Sequence, residues 1–311
     1  MKWGYFISLL LSVFFSLRIE SLVLQWVVLE INILSVVPLI IRRITADSVS
    51  CRLKYFLSQG TASLILIFFF MVGVGVDNIL QIVLLLKLGI PPFHGWVIRV
   101  LDSANPFTQW ILFTTQKFIP INIIRSVTFR FSLFQLILLR TTVLLLFSYV
   151  YSMTRILFIS SARNIIGVMI ILVNRNLWML YLLTYVIIVS VLIVFLASTS
   201  RYRFSSLAVT NPRVIFLFSI FLFNLGGIPP IAGFLLKLLS IKALLELGGL
   251  IVFMFLLISL LILRVYINVR YWAWRTSQPF LDIYLINKSN WLIDIIIMSI
   301  FVFSLVLYLY V

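Results

Sequence analysis

The sequence predicts an all-α polytopic membrane protein of about eleven transmembrane helices, a single integral membrane domain over residues 1–311. Three observations predict it. Of the residues, 63% are hydrophobic and only 10% are charged, against roughly 45–50% and about 25% in soluble domains. The apolar residues are gathered in long runs, such as Ser63–Val76 and Thr184–Ala197, and a bilayer-spanning helix needs about 20 mostly apolar residues. Finally, the runs do not alternate with period two, as the strands of a membrane barrel do.

Charged or turn-rich breaks place the spans near residues 3–17, 21–41, 56–76, 79–98, 107–124, 131–150, 156–174, 177–198, 213–240, 249–268 and 291–311. The first begins Met1-Lys2 and runs apolar to Leu17 like a signal peptide. It has no small-x-small cleavage site and is not an Arg- and Ser-rich transit peptide, so it reads as a retained span. The longest polar connections, Arg42–Lys54, Thr199–Arg213 and Val269–Asn290, are too short to fold alone.

The chain has 24 Lys and Arg against 8 Asp and Glu, a net charge of +16. In a soluble protein that balance would suggest nucleic acid. Here most basic residues fall between apolar runs, and no basic stripe with interleaved aromatics lies outside them, so no nucleic-acid partner is expected. An odd number of spans puts the termini on opposite sides. Thirteen basic residues, Lys2, Arg42, Arg43, Arg52 and Lys54 among them, then share the side of the N-terminus. Five (Arg18, Arg125, Arg130, Arg175 and Lys242) face the other way. The positive-inside rule places the N-terminus on the cytoplasm-like side.

With 1 Cys and 1 His, the chain cannot ligate an iron–sulfur cluster or supply a pair of haem histidines. No GxxxxGK[ST] or GxGxxG is present, so neither nucleotide hydrolysis nor dinucleotide binding is supported. Redox chemistry must belong to a partner, and no cofactor is expected on this chain. Cys51 has no intrachain cysteine to pair with.

One internal echo stands out. Leu88-Gly89-Ile90-Pro91-Pro92 returns as Leu225-Gly226-Gly227-Ile228-Pro229-Pro230. Pro-Pro cannot continue a helix, because two N–H donors are missing and the rings clash with the preceding turn. In lipid the freed carbonyls need partners, so such breaks persist only inside protein or beside water. Paired interruptions point to internal repeats, approximately 1–130 and 131–270 with a further helix at 291–311, and to a transport site between them. Two unrelated kinks are the alternative.

Ionisable residues lie at membrane depth. Glu30 is midway along Ser21–Ile41, Lys87 just precedes the first break, Lys117 lies within Phe107–Ile124, and Lys237 follows the second break. Four charges at mid-membrane would cost about 10–14 kcal/mol on insertion scales, comparable to the stability of a whole domain. They must face one another or a hydrated interior. A buried lysine suits proton transfer, because burial disfavours its charged form while a neighbouring carboxylate favours it. Glu30 is expected to face Lys87, directly or through one water. Ordinary ion pairs that hold helices together are the competing reading. Arg140 also sits mid-run and Arg163 lies early in its span, and neither has an obvious acidic partner.

Several segments then carry a family resemblance: Leu29-Glu30-Ile31-Asn32, Lys54-Tyr55-Phe56-Leu57-Ser58-Gln59, Lys87-Leu88-Gly89-Ile90-Pro91-Pro92-Phe93-His94-Gly95-Trp96 and Gln116-Lys117-Phe118-Ile119-Pro120. The last is Leu225 to Phe234 followed by Lys237. In this order, and over nearly the whole chain, they resemble subunit 2 of mitochondrial NADH:ubiquinone oxidoreductase (respiratory complex I), a family of antiporter-like membrane subunits. The resemblance implies inverted repeats with two broken helices and a proton relay at Glu30, Lys87, Lys117 and Lys237, with His94 in the first broken helix. It implies the mitochondrial inner membrane, with the N-terminus in the matrix and the C-terminus in the intermembrane space. NADH, FMN, iron–sulfur clusters and ubiquinone would sit in other subunits. Partners would be the other membrane-arm and supernumerary subunits and phospholipids. Two positions depart from the family. Ser160-Ser161-Ala162-Arg163-Asn164 stands where a Ser-Ser-x-x-His segment is usual, and Arg99 stands where a glutamate is common. Waters or Arg163 are then the candidates to replace a histidine between Lys117 and Lys237. The competing functions are a subunit of a cation/proton antiporter complex, whose members are longer, and a scaffold subunit with no transport of its own.

Overall fold

The computed structural model describes residues 2–40, 46–72, 76–126, 153–172, 177–199, 212–228, 231–245 and 248–277. Every regular element among the described residues is an α-helix. The chain divides into two compact units, Met1–Thr141 and Thr142–Val311.

The first unit contains α1 (Lys2–Arg18), α2 (Leu22–Ile40), α3 (Ala46–Val72), α4 (Val76–Leu88), α5 (Gly95–Ser103), α6 (Pro106–Phe113) and α7 (Thr115–Ser126). A short link makes α1 and α2 packed neighbours, and Gln25 Nε2 ties that link down by donating to the Ile19 carbonyl at 2.7 Å. α2 also packs on α3, which lies against α4 and α5, while α7 touches α1, α2, α4 and α6. Side chains are sorted by solvent, and here the solvent is lipid. Leu34, Leu57, Leu64 and Phe68 are exposed, whereas Asn32, Gln59, Lys87, Lys117 and Asn122 are buried. Hydrocarbon cannot hydrogen-bond a polar group, so the polar residues turn inward.

The second unit contains α8 (Met153–Ile171), α9 (Trp178–Thr199), α10 (Pro212–Gly226), α11 (Ala232–Leu245) and α12 (Gly249–Ser277). α11 packs against each of the other four, and α8 is almost wholly buried.

Four helices among the described residues are long and apolar enough to cross a membrane: Leu22–Ile40, Val49–Met71, Thr154–Ile171 and Trp178–Ala197. Trp3–Arg18 and Val252–Asn268 are shorter apolar helices. The chain is thus a multi-pass helical membrane protein. The expected spans at 131–150 and 291–311, Arg140, and Pro229-Pro230 lie outside the described residues.

Three expectations about element boundaries change. Residues 46–54 of the polar connection Arg42–Lys54 are helical, and so are residues 269–277 of Val269–Asn290. Neither stretch holds a glycine or proline, and Arg and Lys are good helix formers. Phe107–Ile124 was expected as one span but is two helices that meet at Thr114 (φ −113°, ψ −85°). The Thr114 and Thr115 hydroxyls donate back to the Trp110 and Ile111 carbonyls at 2.6 and 3.1 Å, a bond that bends helices. Further on, Pro120 has no N–H to offer the Gln116 carbonyl.

Candidate functional site

A helix leaves its last four carbonyls without intrahelical partners. In α4 these belong to Leu85, Leu86, Lys87 and Leu88, and each has found a donor. The chain turns at Gly89, whose φ of 65° is the left-handed conformation that this kind of helix end requires. The N–H groups of Ile90 and Gly89 close on Leu85 and Leu86 at 3.2 and 3.1 Å. Trp96 Nε1 also donates to Leu86 at 3.0 Å, and Gln59 Nε2 of α3 donates to the Lys87 carbonyl at 3.1 Å. The fourth carbonyl, that of Leu88, accepts from Lys117 Nζ of α7 at 2.5 Å. An ammonium there also meets the negative end of the α4 dipole.

Lys87 lies in the last turn of α4, only 4% exposed, and its Nζ has no hydrogen-bond partner. Glu30, half-buried on α2, acts on it electrostatically. No direct hydrogen bond joins Glu30 to Lys87 Nζ. His94 stands at the cap position ahead of α5, with Nδ1 3.1 Å from the Pro92 carbonyl. A carbonyl only accepts, so that nitrogen donates.

The second unit repeats the backbone of this break. Gly227 has φ 65°. Its N–H bonds the Asn224 carbonyl at 3.0 Å, Ile228 N–H bonds Phe223 at 3.3 Å, and Ile231 N–H bonds Ile228 at 3.0 Å. The side chains differ. Asn224 Oδ1 accepts from Gly233 N–H at 2.9 Å and so ties α10 to the start of α11. Lys237 is half-buried and lays its stem over Gly227, where an added Cβ would sit 2.7 Å from Cε and 2.9 Å from Cδ. Lys237 also has an electrostatic neighbour in Arg163, which is buried on α8 with the Tyr181 and Tyr266 hydroxyls around it. The Arg163 guanidinium lies 5.9 Å from the Phe255 ring centroid. None of the described residues of this unit is acidic.

Glu30, Lys87, Lys117 and His94 thus fall in the first unit and Lys237 in the second. The sequence reading gave the uncharged polar groups around them no role of their own. Gln59, Asn32, Gln116, Asn122 and Asn224 are polar side chains in apolar runs, and that was the signal available. Tyr181, Tyr185 and Tyr266, fully enclosed in the second unit, gave none.

No family model matches the chain. Among curated relatives, NADH-ubiquinone oxidoreductase chain 2 of Metachirus nudicaudatus is 29% identical over 298 residues, covering 88% of this chain and 85% of the relative. The same-named protein of Lemur catta is 30% identical over 236 residues, covering 69% of this chain and 68% of the relative. The chain belongs to the NADH-ubiquinone oxidoreductase chain 2 family. Solved structures agree in fold. A chain of respiratory complex I from Thermus thermophilus matches with a TM-score of 0.76 at 19% identity, over 96% of this chain and 76% of that one. A chain of the Mrp complex from Dietzia sp. DQ12-45-1b matches with a TM-score of 0.74 at 20% identity, over 85% of this chain. This chain spans 59% of the length of that Mrp subunit. At these identities the structural matches speak to fold alone.

Proposed function

We propose that the chain is a proton-translocating core membrane subunit of NADH:ubiquinone oxidoreductase. It couples electron transfer from NADH to ubiquinone, carried out in other subunits, to proton pumping across the mitochondrial inner membrane. The relay is Glu30, Lys87, Lys117 and Lys237, with His94 beside the first break. The single observation that carries this reading is the Lys117 ammonium seated on the open carbonyl end of α4, one residue beyond the unpartnered Lys87.

The chemistry follows from that seat. A carbonyl accepts from an ammonium or from an amine, so Lys117 keeps its place whether or not it holds the extra proton. Lys87 has no such anchor and depends on the Glu30 carboxylate. When the charge on Glu30 is neutralised, Lys87 loses the interaction that favours its ammonium and passes a proton toward Lys117. Lys237, with Arg163 beside it, receives the proton in the second half. Arg163 cannot itself give up a proton, so it serves as a fixed charge and not as a relay station.

In the same reading the two breaks interrupt membrane-crossing helices of two inverted repeats, within about eleven spans. The N-terminus lies in the matrix and the C-terminus in the intermembrane space. The chain binds no cofactor. NADH, FMN, iron–sulfur clusters and ubiquinone belong to other subunits, and the chain assembles with membrane-arm and supernumerary subunits and phospholipids. The test is a Glu30→Gln complex in proteoliposomes. Pumping per NADH should fall while NADH oxidation by an artificial acceptor persists. Unchanged pumping would remove Glu30 from the relay.

A further inference from the structure

Gln116 sits between the helix interruption at Thr114 and Lys117, and its side-chain amide is held at both ends. Tyr55 Oη of α3 donates to Gln116 Oε1 at 3.1 Å. Gln116 Nε2 donates to Asn32 Oδ1 of α2. One side-chain amide thus links α3, α7 and α2. The chain ends at Asn32 Nδ2, a buried donor with no partner. Tyr55 is fully buried and Asn32 is 2% exposed.

The backbone alone fixes this region poorly. Lys117 N–H bonds Thr114 three residues back, two threonine hydroxyls take backbone carbonyls just before it, and Pro120 lacks an N–H. Yet Lys117 Nζ must be aimed well enough to reach the Leu88 carbonyl. The residue next to it is clamped across two other helices, and Asn122 Nδ2, farther along α7, is anchored to the Ser16 carbonyl of α1.

We propose that Tyr55, Gln116 and Asn32 are positioning residues for Lys117, a hydrogen-bond chain across α3, α7 and α2 that aims its ammonium at the end of α4. The proposal rests on the relay reading above.

Tyr55→Phe is the discriminating variant. It keeps the ring and its edge contact with Trp96, 6.0 Å between centroids, and deletes only the hydroxyl. Loss of one net hydrogen bond corresponds to about a fivefold shift away from the clamped state. In the assembled complex, protons pumped per NADH should fall and the pH profile of pumping should move. NADH oxidation by an artificial acceptor should not change. Less assembled complex with an unaltered pumping ratio and pH profile would overturn the positioning role. A Lys117→Met complex measured beside it separates the two readings. If Lys117→Met pumps normally, the relay fails. If Lys117→Met loses pumping while Tyr55→Phe keeps its ratio and profile, only the positioning role fails. Should Tyr55→Phe not assemble, a map of the wild-type complex decides. Gln116 bridging Tyr55 and Asn32 supports the proposal, and Gln116 turned away from them overturns it.

Discussion

Gly227→Ala tests whether the shape of the second break matters to Lys237. Two costs add. Gly227 has φ 65°, and a side chain in left-handed backbone costs about 1–2 kcal/mol. The new Cβ would also sit 2.7 Å from the Gly233 carbonyl oxygen and within 3 Å of Lys237 Cε and Cδ. Crowding of that kind costs about 1–3 kcal/mol. The sum is about 2–5 kcal/mol. The lysine stem can swing away, which displaces Lys237, whereas the clash with the Gly233 carbonyl remains and must be relieved by moving the backbone of the break itself. The control is Gly60→Ala on α3, where an added Cβ meets nothing within 4 Å. Alanine at a mid-helix glycine gains about 0.5–1 kcal/mol. Thermal inactivation of the solubilised complex, with pumping per NADH in proteoliposomes, is the assay. Gly227→Ala should inactivate at a lower temperature and pump less, and Gly60→Ala should equal or exceed wild type. Gly227→Ala with wild-type inactivation and pumping would refute the reasoning.

Three further outcomes follow from the same geometry. Gln59→Leu strips the Lys87 carbonyl of its donor and should cost about 1 kcal/mol of stability, read as a lower midpoint of thermal inactivation. Arg163→Met should assemble at least as well as wild type, since Arg163 is a buried charge with no acidic residue among the described residues of its unit, and an unpaired buried charge is costly. Its pumping should nevertheless fall, and unchanged pumping would show that the fixed charge beside Lys237 is dispensable. In intact mitoplasts, protease added from outside should leave residues 42–54 uncut, and cleavage there would reverse the proposed orientation.

Class was the most legible feature of the sequence, because long apolar runs have no other stable home than lipid. The echo of one segment in the other was legible as well, though it was read from Pro-Pro and not from the glycines. Gly89 and Gly227, each before an Ile-Pro-Pro, take the same positive φ and the same hydrogen bonds. The interruption at Thr114 was not. Threonine is an ordinary residue in apolar helices, and the bend depends on whether its hydroxyl turns back on the backbone. Glu30 and Lys87 stood out as charges in apolar spans, but the seat of Lys117 on Leu88 did not, because a carbonyl end is a property of the fold and not of a residue type. Tyr55, Gln116 and Asn32 were visible as members of three separate motif segments, but nothing in the sequence joined them. What joins them is the packing of α7 against α2 and of α2 against α3, which no local pattern encodes.

Proton pumping by an assembled Lys117→Met complex tests the central claim most directly. Methionine matches the lysine stem in bulk and cannot hold a proton. Reconstituted in sealed proteoliposomes with NADH and ubiquinone, the variant should show impaired pumping and impaired coupled quinone reduction. NADH oxidation by an artificial acceptor should remain at the wild-type rate, because that chemistry lies in other subunits. Full pumping without the Lys117 ammonium would contradict the relay.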